Sequence, residues 1–431
     1  MTQTATPADT ATSEFEHEPV PLSHRKSLFT VSAVWFGFPM ILTNAVPGGL
    51  VVAMLGFWPG VGAILTANAI MFVYVSLLSW RAGRTGKSFA LQATETFGTA
   101  GYAIASGFLA TVVVGWFAFN TGATGASLSG AFGWNETLVA ALAGLVFIVV
   151  TYLGIRALSV LGAIAAPLFI AAVIIAISLA AQSHNFSAVF GYKGVGGGAM
   201  SFGVAVTAIM ATFADSGTMT ADFTRWARTG KQAVAATFTA FPVASLVAQL
   251  SGALFVAAGA IADPAANGGN FAPLLTGTHN VLLDIFLFAF VVINLGSVCT
   301  HCLYNGALGW SHLTRSKIRV LTLILGVIGT LVAVLGAWHY FVNWLVLLGV
   351  LVPPLGAVLI ADQIILAKRN AGRPEQRVRW TALAAWAIGA GAALVTHFFT
   401  PVLSDAVVGL VVGTVAYLVL EQFAYAKETT R

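Results

Sequence analysis

The chain has 431 residues, of which 58% are hydrophobic and only 8% are charged. A soluble domain carries about 25% Asp, Glu, Lys and Arg, so this composition excludes a soluble, a nucleic-acid-binding or a largely disordered protein. The formal net charge is +5, and the positions of the charges are more informative than their sum. The two cysteines, Cys299 and Cys302, form no disulfide framework and indicate no redox compartment.

The first 22 residues differ from the rest of the chain. Glu14, Glu16 and Glu18 stand among Thr, Ser, Ala and Pro, and such a composition cannot bury enough apolar surface to fold. The basic start and apolar run of a signal peptide are both absent from this stretch. The sequence therefore predicts a disordered cytoplasmic tail over residues 1–22.

Long apolar stretches occupy most of the remaining chain. A helix that crosses a bilayer needs about 20 mostly apolar residues, because lipid offers no partner for a free backbone N–H or C=O group. Twelve stretches meet this need, and we number them spans 1 to 12. They lie near 28–54, 61–80, 101–125, 137–155, 158–181, 198–222, 232–262, 281–310, 318–337, 340–361, 379–396 and 402–422.

Basic residues lie almost entirely on one side of these spans. Every Lys and Arg except Lys193 falls in the two tails or in the loops on that side. Because cytoplasmic loops are enriched in Lys and Arg, both termini are predicted to be cytoplasmic, in a multi-pass protein of the cytoplasmic (inner) membrane. One misplaced span would break the alternation, which supports the count of twelve.

Two spans contain residues that interrupt helices. Span 1 runs through Pro39 and Pro47-Gly48-Gly49, with Thr43 and Asn44 between them, and span 6 carries Phe-Ala-Asp-Ser-Gly-Thr over 213–218. Backbone groups freed at mid-depth must line a cavity or contact a bound ion. Spans 1 and 6 run in opposite directions, and broken helices at corresponding positions of inverted halves indicate a transport site. Simple packing kinks are the alternative.

Polar side chains at membrane depth sharpen this interpretation. Asp215 lies at the break of span 6, where a central Asp costs about 2.5–3.5 kcal/mol on insertion scales. Asn294 and Ser297 share a face of span 8, and Trp116 and Asn120 share a face of span 3. A ring with an amide one turn away suits a flat heterocycle, which needs stacking and hydrogen bonds at its edge. Ordinary helix packing is the alternative for that pair.

Several other chemistries find no support in the sequence. Cys299 and Cys302 resemble a metal pair, but zinc needs four ligands, and packing is the better interpretation. A Gly-rich phosphate loop with its Lys is absent, so ATP hydrolysis is not expected. The eight His residues scatter toward span ends and loops, and the deepest, His301, has no acidic partner in its own span. An intramembrane enzyme would lack its catalytic cluster, and a channel would lack a continuous polar path.

Four segments resemble the signatures of one transporter family. Residues 216–225 (SGTMTADFTR) are similar to the SGTLTADFxR stretch that closes span 6 in bacterial cytosine permeases, and 114–117 (VGWF) is similar to their span 3 signature. Residues 353–362 (PPLGAVLIAD) resemble their PPxGxxxxAD in span 10, and 302–304 with Gly309 resemble the end of their span 8. The chain thus resembles the nucleobase–cation symporter family 1 transporters, bacterial cytosine permeases in particular, over nearly its whole length.

This resemblance implies the domain organisation. The fold would be an all-α polytopic membrane protein of twelve transmembrane helices, with broken helices 1 and 6. Spans 1–5 (residues 23–195) and spans 6–10 (residues 196–365) would form a five-plus-five inverted repeat. Spans 11 and 12 (residues 366–424) would be two additional C-terminal helices, followed by a cytoplasmic tail over residues 425–431.

The resemblance also implies a substrate site between spans 1, 3, 6 and 8. Trp116 would stack on one face of the substrate ring and Phe213 on the other, and Asn120 falls where some family members place a substrate-binding amide. The remaining residues assigned to substrate binding lie at the span 6 break and are Thr212, Asp215 and Ser216. A coupling sodium would be held by backbone carbonyls of span 1 and side chains of span 8, here Gly37, Met40, Asn294 and Ser297.

Three positions depart from the family pattern. Val113 replaces a glutamine, and Ser297-Val298 replaces two adjacent hydroxyl residues, so one sodium ligand is missing. A hard cation wants several oxygen ligands. Asp215 stands where cytosine permeases have a small hydroxyl residue. Its carboxyl could compensate the site electrostatically, accept a proton as the coupling ion, or pair with an amino group of the substrate, and the sequence leaves these roles open.

The sequence thus predicts a secondary transporter, not an enzyme, that imports a nucleobase-like heterocycle with sodium or protons by alternating access. No cofactor, nucleic acid or obligate protein partner is expected beside the substrate and the lipid bilayer. Cytosine is the leading substrate, with other aminopyrimidines, purines or a hydantoin close behind. An amino-acid or amine carrier of the same architecture is the alternative, although Trp116 and Phe213 favour a flat ring over a zwitterion.

Overall fold

The computed structural model describes residues 14–195, 200–276, 280–370 and 372–429. Within these ranges the regular structure is helical, and the one extended pairing is a parallel β-bridge between Lys26 and Ala227. The predicted all-α fold is therefore confirmed.

Each of the twelve predicted spans contains one or more helices. Their bounds are Leu28–Gly37 and Leu42–Leu55 (span 1), Phe57–Thr85 (span 2), Tyr102–Phe132 (span 3), Glu136–Tyr152 (span 4), Ile155–Ala180 (span 5), Phe202–Ala211, Ala214–Thr218 and Ala221–Thr224 (span 6), Gly230–Phe238, Thr239–Ala244 and Ser245–Ala257 (span 7), Val281–Thr314 (span 8), Ile318–Val334 (span 9), Phe341–Ile360 and Ala361–Ile365 (span 10), Trp380–Phe399 (span 11) and Asp405–Thr429 (span 12). The tail predicted over 425–431 therefore begins as helix, because span 12 continues to Thr429. Residues 430–431 lie outside the described residues.

Most of these helices are long enough to cross a membrane. In the described part of the chain, eight helices have the required length and composition, and the bent pair of span 1 makes a ninth. The helices of spans 4, 6 and 9 are apolar but shorter, at 10–17 residues. At 1.5 Å per residue such a helix falls short of a hydrocarbon core about 30 Å thick. The chain is thus a multi-pass membrane protein whose helices agree with twelve spans, although length alone does not establish the three shorter crossings.

Span 1 bends by 55° between its two helices. The first helix ends at Gly37, the second helix begins at Leu42, and Pro39 lies between them. The carbonyl group of Pro39 accepts a hydrogen bond of 2.8 Å from the side-chain amide of Asn44, which satisfies a backbone group freed by the break. The interruption predicted at Pro47-Gly48-Gly49 is wrong, since these residues lie inside the second helix of span 1.

The glycines of that sequence allow close packing instead. A Cβ atom at Gly48 would lie 2.6 Å from backbone atoms of Gln249 in span 7, and one at Gly49 would overlap the backbone of Gly269. A side chain at either position would push these elements apart. The second helix of span 1 is therefore held against span 7 and the loop that follows it.

Span 6 is broken where the sequence predicted. Its first helix ends at Ala211, and Phe213 has φ −138° and ψ 18°, outside the helical region. The two breaks meet, because the rings of Phe38 in span 1 and Phe213 in span 6 pack edge to face with centroids 5.2 Å apart.

Short helical segments follow spans 2 and 7, the second spans of the two predicted repeats. The short helix Phe89–Phe97 follows span 2, and the short segments Pro264–Asn267 and Ala272–Leu275 follow span 7. In the predicted inverted repeat these two spans run in opposite directions, which would place the segments on opposite sides of the membrane. Spans 3 and 8 pack along each other and form one wall of the space beside the breaks.

Residues 14–22, hereafter the N-terminal segment, are packed against the helices, so the predicted disorder is wrong for this part. Phe15 and Val20 are buried. Residues 1–13 of the predicted tail lie outside the described residues.

Partners from distant spans hold the N-terminal segment. The buried guanidinium of Arg225 donates hydrogen bonds to the carbonyl groups of Phe15 at 2.8 Å and Glu14 at 2.7 Å. The Glu14 carboxylate accepts bonds from the Tyr304 hydroxyl at 2.9 Å and the Ile155 backbone N–H at 3.2 Å. Burial nevertheless raises the pKa of the Glu14 carboxyl above its usual value. Composition could not indicate this packing, because the partners lie more than 140 residues away.

Candidate functional site

A cleft lies where the two broken helices face spans 3 and 8. In this conformation the cleft is nearly closed, with a cavity volume of about 10 Å³. Its walls are formed by Phe38, Ile41, Thr43, Asn44, Trp116, Asn120, Thr212, Phe213, Ser216, Val298 and Cys302. Five of the six residues predicted to bind substrate are among them, and the exception is Asp215. The structure thus brings together residues from four spans, while their role in binding stays a prediction.

Trp116 and Asn120 lie one turn apart on the face of span 3 that lines the cleft. The Asn120 amide nitrogen donates to the Trp116 carbonyl at 2.9 Å, and its oxygen accepts from the Thr43 hydroxyl at 2.7 Å. These two bonds orient the amide and leave one of its N–H groups for another partner. The Trp116 ring packs edge to face on Phe341 of span 10, with centroids 5.7 Å apart.

Phe213 contributes a second aromatic ring to the cleft. Phe38 and Phe241 pack against it edge to face, at centroid distances of 5.2 and 5.9 Å, and these contacts restrict its ring. The neighbouring Thr212 hydroxyl donates to the Ile209 carbonyl at 2.7 Å, so it satisfies a backbone group at the end of the first helix of span 6. Thr212 therefore supports the break as well as lining the cleft.

Asp215 lies behind the wall of the cleft rather than in it. Its side chain is fully buried, and neither carboxyl oxygen has a hydrogen-bond partner. The indole N–H of Trp116 approaches the carboxyl but also lacks a partner within hydrogen-bond geometry. An isolated ionised carboxylate in such surroundings is costly unless it is paired or protonated, so this group calls for a functional explanation.

The four residues predicted to hold sodium also meet. The Asn294 amide oxygen accepts the Leu42 backbone N–H at 2.8 Å, and its nitrogen donates to the Met40 carbonyl at 2.8 Å. The Ser297 hydroxyl donates to the Gly37 carbonyl at 3.3 Å. Span 8 is thus joined directly to both ends of the span 1 break, a set of contacts that we call the span 1–span 8 latch.

The sodium site stays a prediction, and in this conformation the atoms of the latch bond to one another. Because the Leu42 N–H bonds only to the oxygen of the Asn294 amide, the nitrogen is the atom that faces Met40, and nitrogen bearing hydrogens cannot bind a cation. Val298 adds no oxygen beside Ser297. The latch itself supplies the oxygens of Gly37, Met40 and Ser297, so a hard cation there would need further oxygen ligands.

Six residues that line the cleft were not assigned to binding from the sequence: Phe38, Ile41, Thr43, Asn44, Val298 and Cys302. Thr43 and Asn44 could have been found, since they are polar and stand beside the predicted break of span 1. Cys302 was assigned to packing, and a cysteine in an apolar helix carries no signal that would distinguish a cavity wall from a helix contact.

Comparisons with known proteins agree on one family. The family model described as permease for cytosine/purines, uracil, thiamine, allantoin matches residues 19–420. The cytosine permease of Escherichia coli strain K12 is 30% identical over 430 residues, which cover 96% of each chain. The cytosine permease of Escherichia coli O157:H7 matches to the same extent.

Solved structures show the same fold. Mhp1, a nucleobase-cation-symport-1 family transporter, in a closed conformation with bromovinylhydantoin bound, has a TM-score of 0.76 at 18% identity and 96% coverage of both chains. A Na⁺-coupled sialic acid symporter in its substrate-bound outward-open state has a TM-score of 0.67 at 13% identity, covering 93% of this chain and 91% of the other. At these identities the likeness shows the fold alone.

The family model spans nearly the whole chain, and the relatives that match this chain over nearly its whole length are permeases. The predicted resemblance and the prediction of a transporter rather than an enzyme are therefore confirmed. The chain belongs to the family of permeases for cytosine/purines, uracil, thiamine and allantoin.

Proposed function

We propose that the chain is a secondary active transporter of the inner membrane that imports a nucleobase-like heterocycle by cation symport. Cytosine is the leading substrate. The observation that carries this proposal is the cleft at the two helix breaks, where Trp116 and Phe213 offer aromatic rings and Asn120 offers an oriented amide. The cytosine permease relatives support the substrate class.

The chemistry of the cleft suits a flat, neutral ring. Aromatic side chains stack on heterocycles, and amides and hydroxyls bond to ring nitrogens, carbonyls and amino groups at the edge. Asn120, Asn44 and Ser216 supply such polar groups. The described lining includes no charged side chain, so nothing there would pair with the carboxylate or ammonium of an amino acid. This favours a heterocycle over the alternative of an amino-acid or amine carrier.

Two layers close the cleft in this conformation. Phe341 packs on Trp116 and on its other side lines a wider cavity with Trp338 and Leu345, so we assign it the outer closure. At the opposite end, the N-terminal segment covers Arg225 and Tyr304. Alternating access would require each layer to open in turn. We place both termini in the cytoplasm because every basic residue except Lys193 lies on their side.

Counterflow in proteoliposomes tests the proposal without assuming a coupling ion. Vesicles preloaded with unlabelled cytosine should take up external radiolabelled cytosine, and purines, hydantoins and amino acids are offered as competitors. We expect cytosine or a related heterocycle to compete and amino acids not to. Trp116→Ala should abolish the exchange while the protein remains folded in the membrane. Exchange of amino acids, or unchanged exchange in Trp116→Ala, would overturn the proposed function or its site.

A further inference from the structure

The carboxyl group of Asp215 is the one buried acidic group at the break of span 6. It lies at the start of the segment Ala214–Thr218, and its side chain is fully buried. Three N–H donors surround it, namely its own amide, the amide of Ser216 and the indole of Trp116. None of the three reaches hydrogen-bond geometry.

The groups that face Asp215 carry no compensating charge. Tyr74 approaches from span 2 and Cys302 from span 8, and Trp116 of span 3 does not titrate. The helices Phe341–Ile360 and Phe202–Ala211 also pack on this segment, and neither contains a titratable residue. Among the described residues, no Lys, Arg or His side chain interacts with the carboxyl. A buried ionised carboxylate without a cation is unfavourable, whereas its protonated form needs none.

The span 1–span 8 latch offers a competing cation few free oxygens in this conformation. Its two carbonyl groups already accept hydrogen bonds from Asn294 and Ser297, and Val298 supplies no further oxygen. A transporter that moves its substrate against a gradient needs a second ion whose binding depends on the substrate. Among the described residues beside the cleft, the Asp215 carboxyl is a buried acidic group that can gain and lose a proton.

We propose that Asp215 carries a coupling proton and that it acts on the substrate through Trp116, as a positioning residue. This inference rests on the proposed transport function. A proton from the outer water forms an O–H bond with one carboxylate oxygen of Asp215, and the same bond breaks when the site opens to the cytoplasm and the proton passes to water. The ionised carboxylate accepts the indole N–H and draws the ring toward span 6. The protonated carboxyl releases the ring to stack on the substrate.

Asp215→Asn tests the role of the proton apart from the shape of the side chain, because an amide has nearly the same shape as a carboxyl group but does not titrate. We compare it with wild type and with Asp284→Asn, the same change at a partly exposed position in the first turn of span 8. Sodium-free proteoliposomes with an acidic exterior should accumulate cytosine in wild type and Asp284→Asn. At one proton per substrate, one pH unit supports about tenfold accumulation. Asp215→Asn should lose proton-driven accumulation, and the counterflow that it retains should no longer depend on pH.

A second measurement uses the wild-type protein alone, in case Asp215→Asn does not fold. In weakly buffered vesicle suspensions without sodium, cytosine uptake should make the external medium alkaline. Accumulation that requires sodium and ignores the pH gradient would overturn the inference, as would proton-driven accumulation by Asp215→Asn or the absence of proton uptake. In each of these cases intact counterflow would leave the proposed function standing. Absence of counterflow in wild type would instead overturn the proposed function.

Discussion

Replacing Asn294 by Ala should weaken the protein more than any other loss of a single amide in span 8. The side chain is fully buried and makes two hydrogen bonds of 2.8 Å, one to the Leu42 N–H and one to the Met40 carbonyl. Both partners lie at the break of span 1, where no helical neighbour replaces the lost bond. Hydrogen bonds between membrane helices contribute about 0.6–1.7 kcal/mol each, so we expect a loss of about 1–3 kcal/mol.

Asn305 provides the matched control. It is the same residue type in the same helix, it is equally buried, and neither atom of its amide has a hydrogen-bond partner. Removing an unpaired buried amide is neutral or stabilising, so Asn305→Ala should melt at or above the wild-type temperature. The buried thiols of Cys299 and Cys302 allow thermal unfolding in detergent to be followed with a thiol-reactive dye. Equal melting temperatures for the two variants would refute the latch as a stabilising contact.

Three further predictions concern the cleft, the close packing of span 1 and the N-terminal segment. Phe213→Ala should remove stacking on the substrate, which contributes about 1–3 kcal/mol for a base, and should therefore raise the Km for uptake roughly 5- to 150-fold. An unchanged Km would mean that the ring serves packing only. Gly48→Ala should cost about 1–3 kcal/mol by overpacking against Gln249, whereas Gly391→Ala, which meets no atom within 4 Å, should leave the melting temperature unchanged. Burial raises the pKa of Glu14, so the Glu14 carboxyl holds its proton more tightly when the N-terminal segment is packed than when it is free. Packing of the segment is therefore strongest at acid pH and weakens as pH rises through the raised pKa. Amide hydrogen exchange in residues 14–22 should therefore show less protection at pH 8 than at pH 5, beyond the intrinsic change, and Glu14→Gln should remove the difference.

The sequence was most informative where the constraint is local. Lipid forces each crossing segment to be apolar and to satisfy its own backbone, so composition alone located helices in all twelve spans. Pro39 and the segment 213–218 marked both breaks for the same reason. The same reasoning failed at 47–49, because proline and glycine also occur inside membrane helices, where glycine serves close contact with another span.

The candidate site could be predicted only in part. The face shared by Trp116 and Asn120 follows from helical periodicity, and the structure places both in the cleft. The position of Asp215 behind that wall could not be predicted, because the break rotates the chain away from helical geometry at Phe213 and periodicity no longer tells which way a side chain points.

By itself, the sequence determined that the chain is a multi-pass helical membrane protein with two interrupted helices, because these properties follow from the apolar character of each segment and from its own proline, glycine and polar residues. Only the tertiary structure decided which polar groups become partners. Asn294 lies 252 residues from Leu42, and Arg225 lies 210 residues from Phe15, so no local pattern links them. Their hydrogen bonds depend on how the spans pack, and that packing determines which atoms remain unpaired beside the cleft.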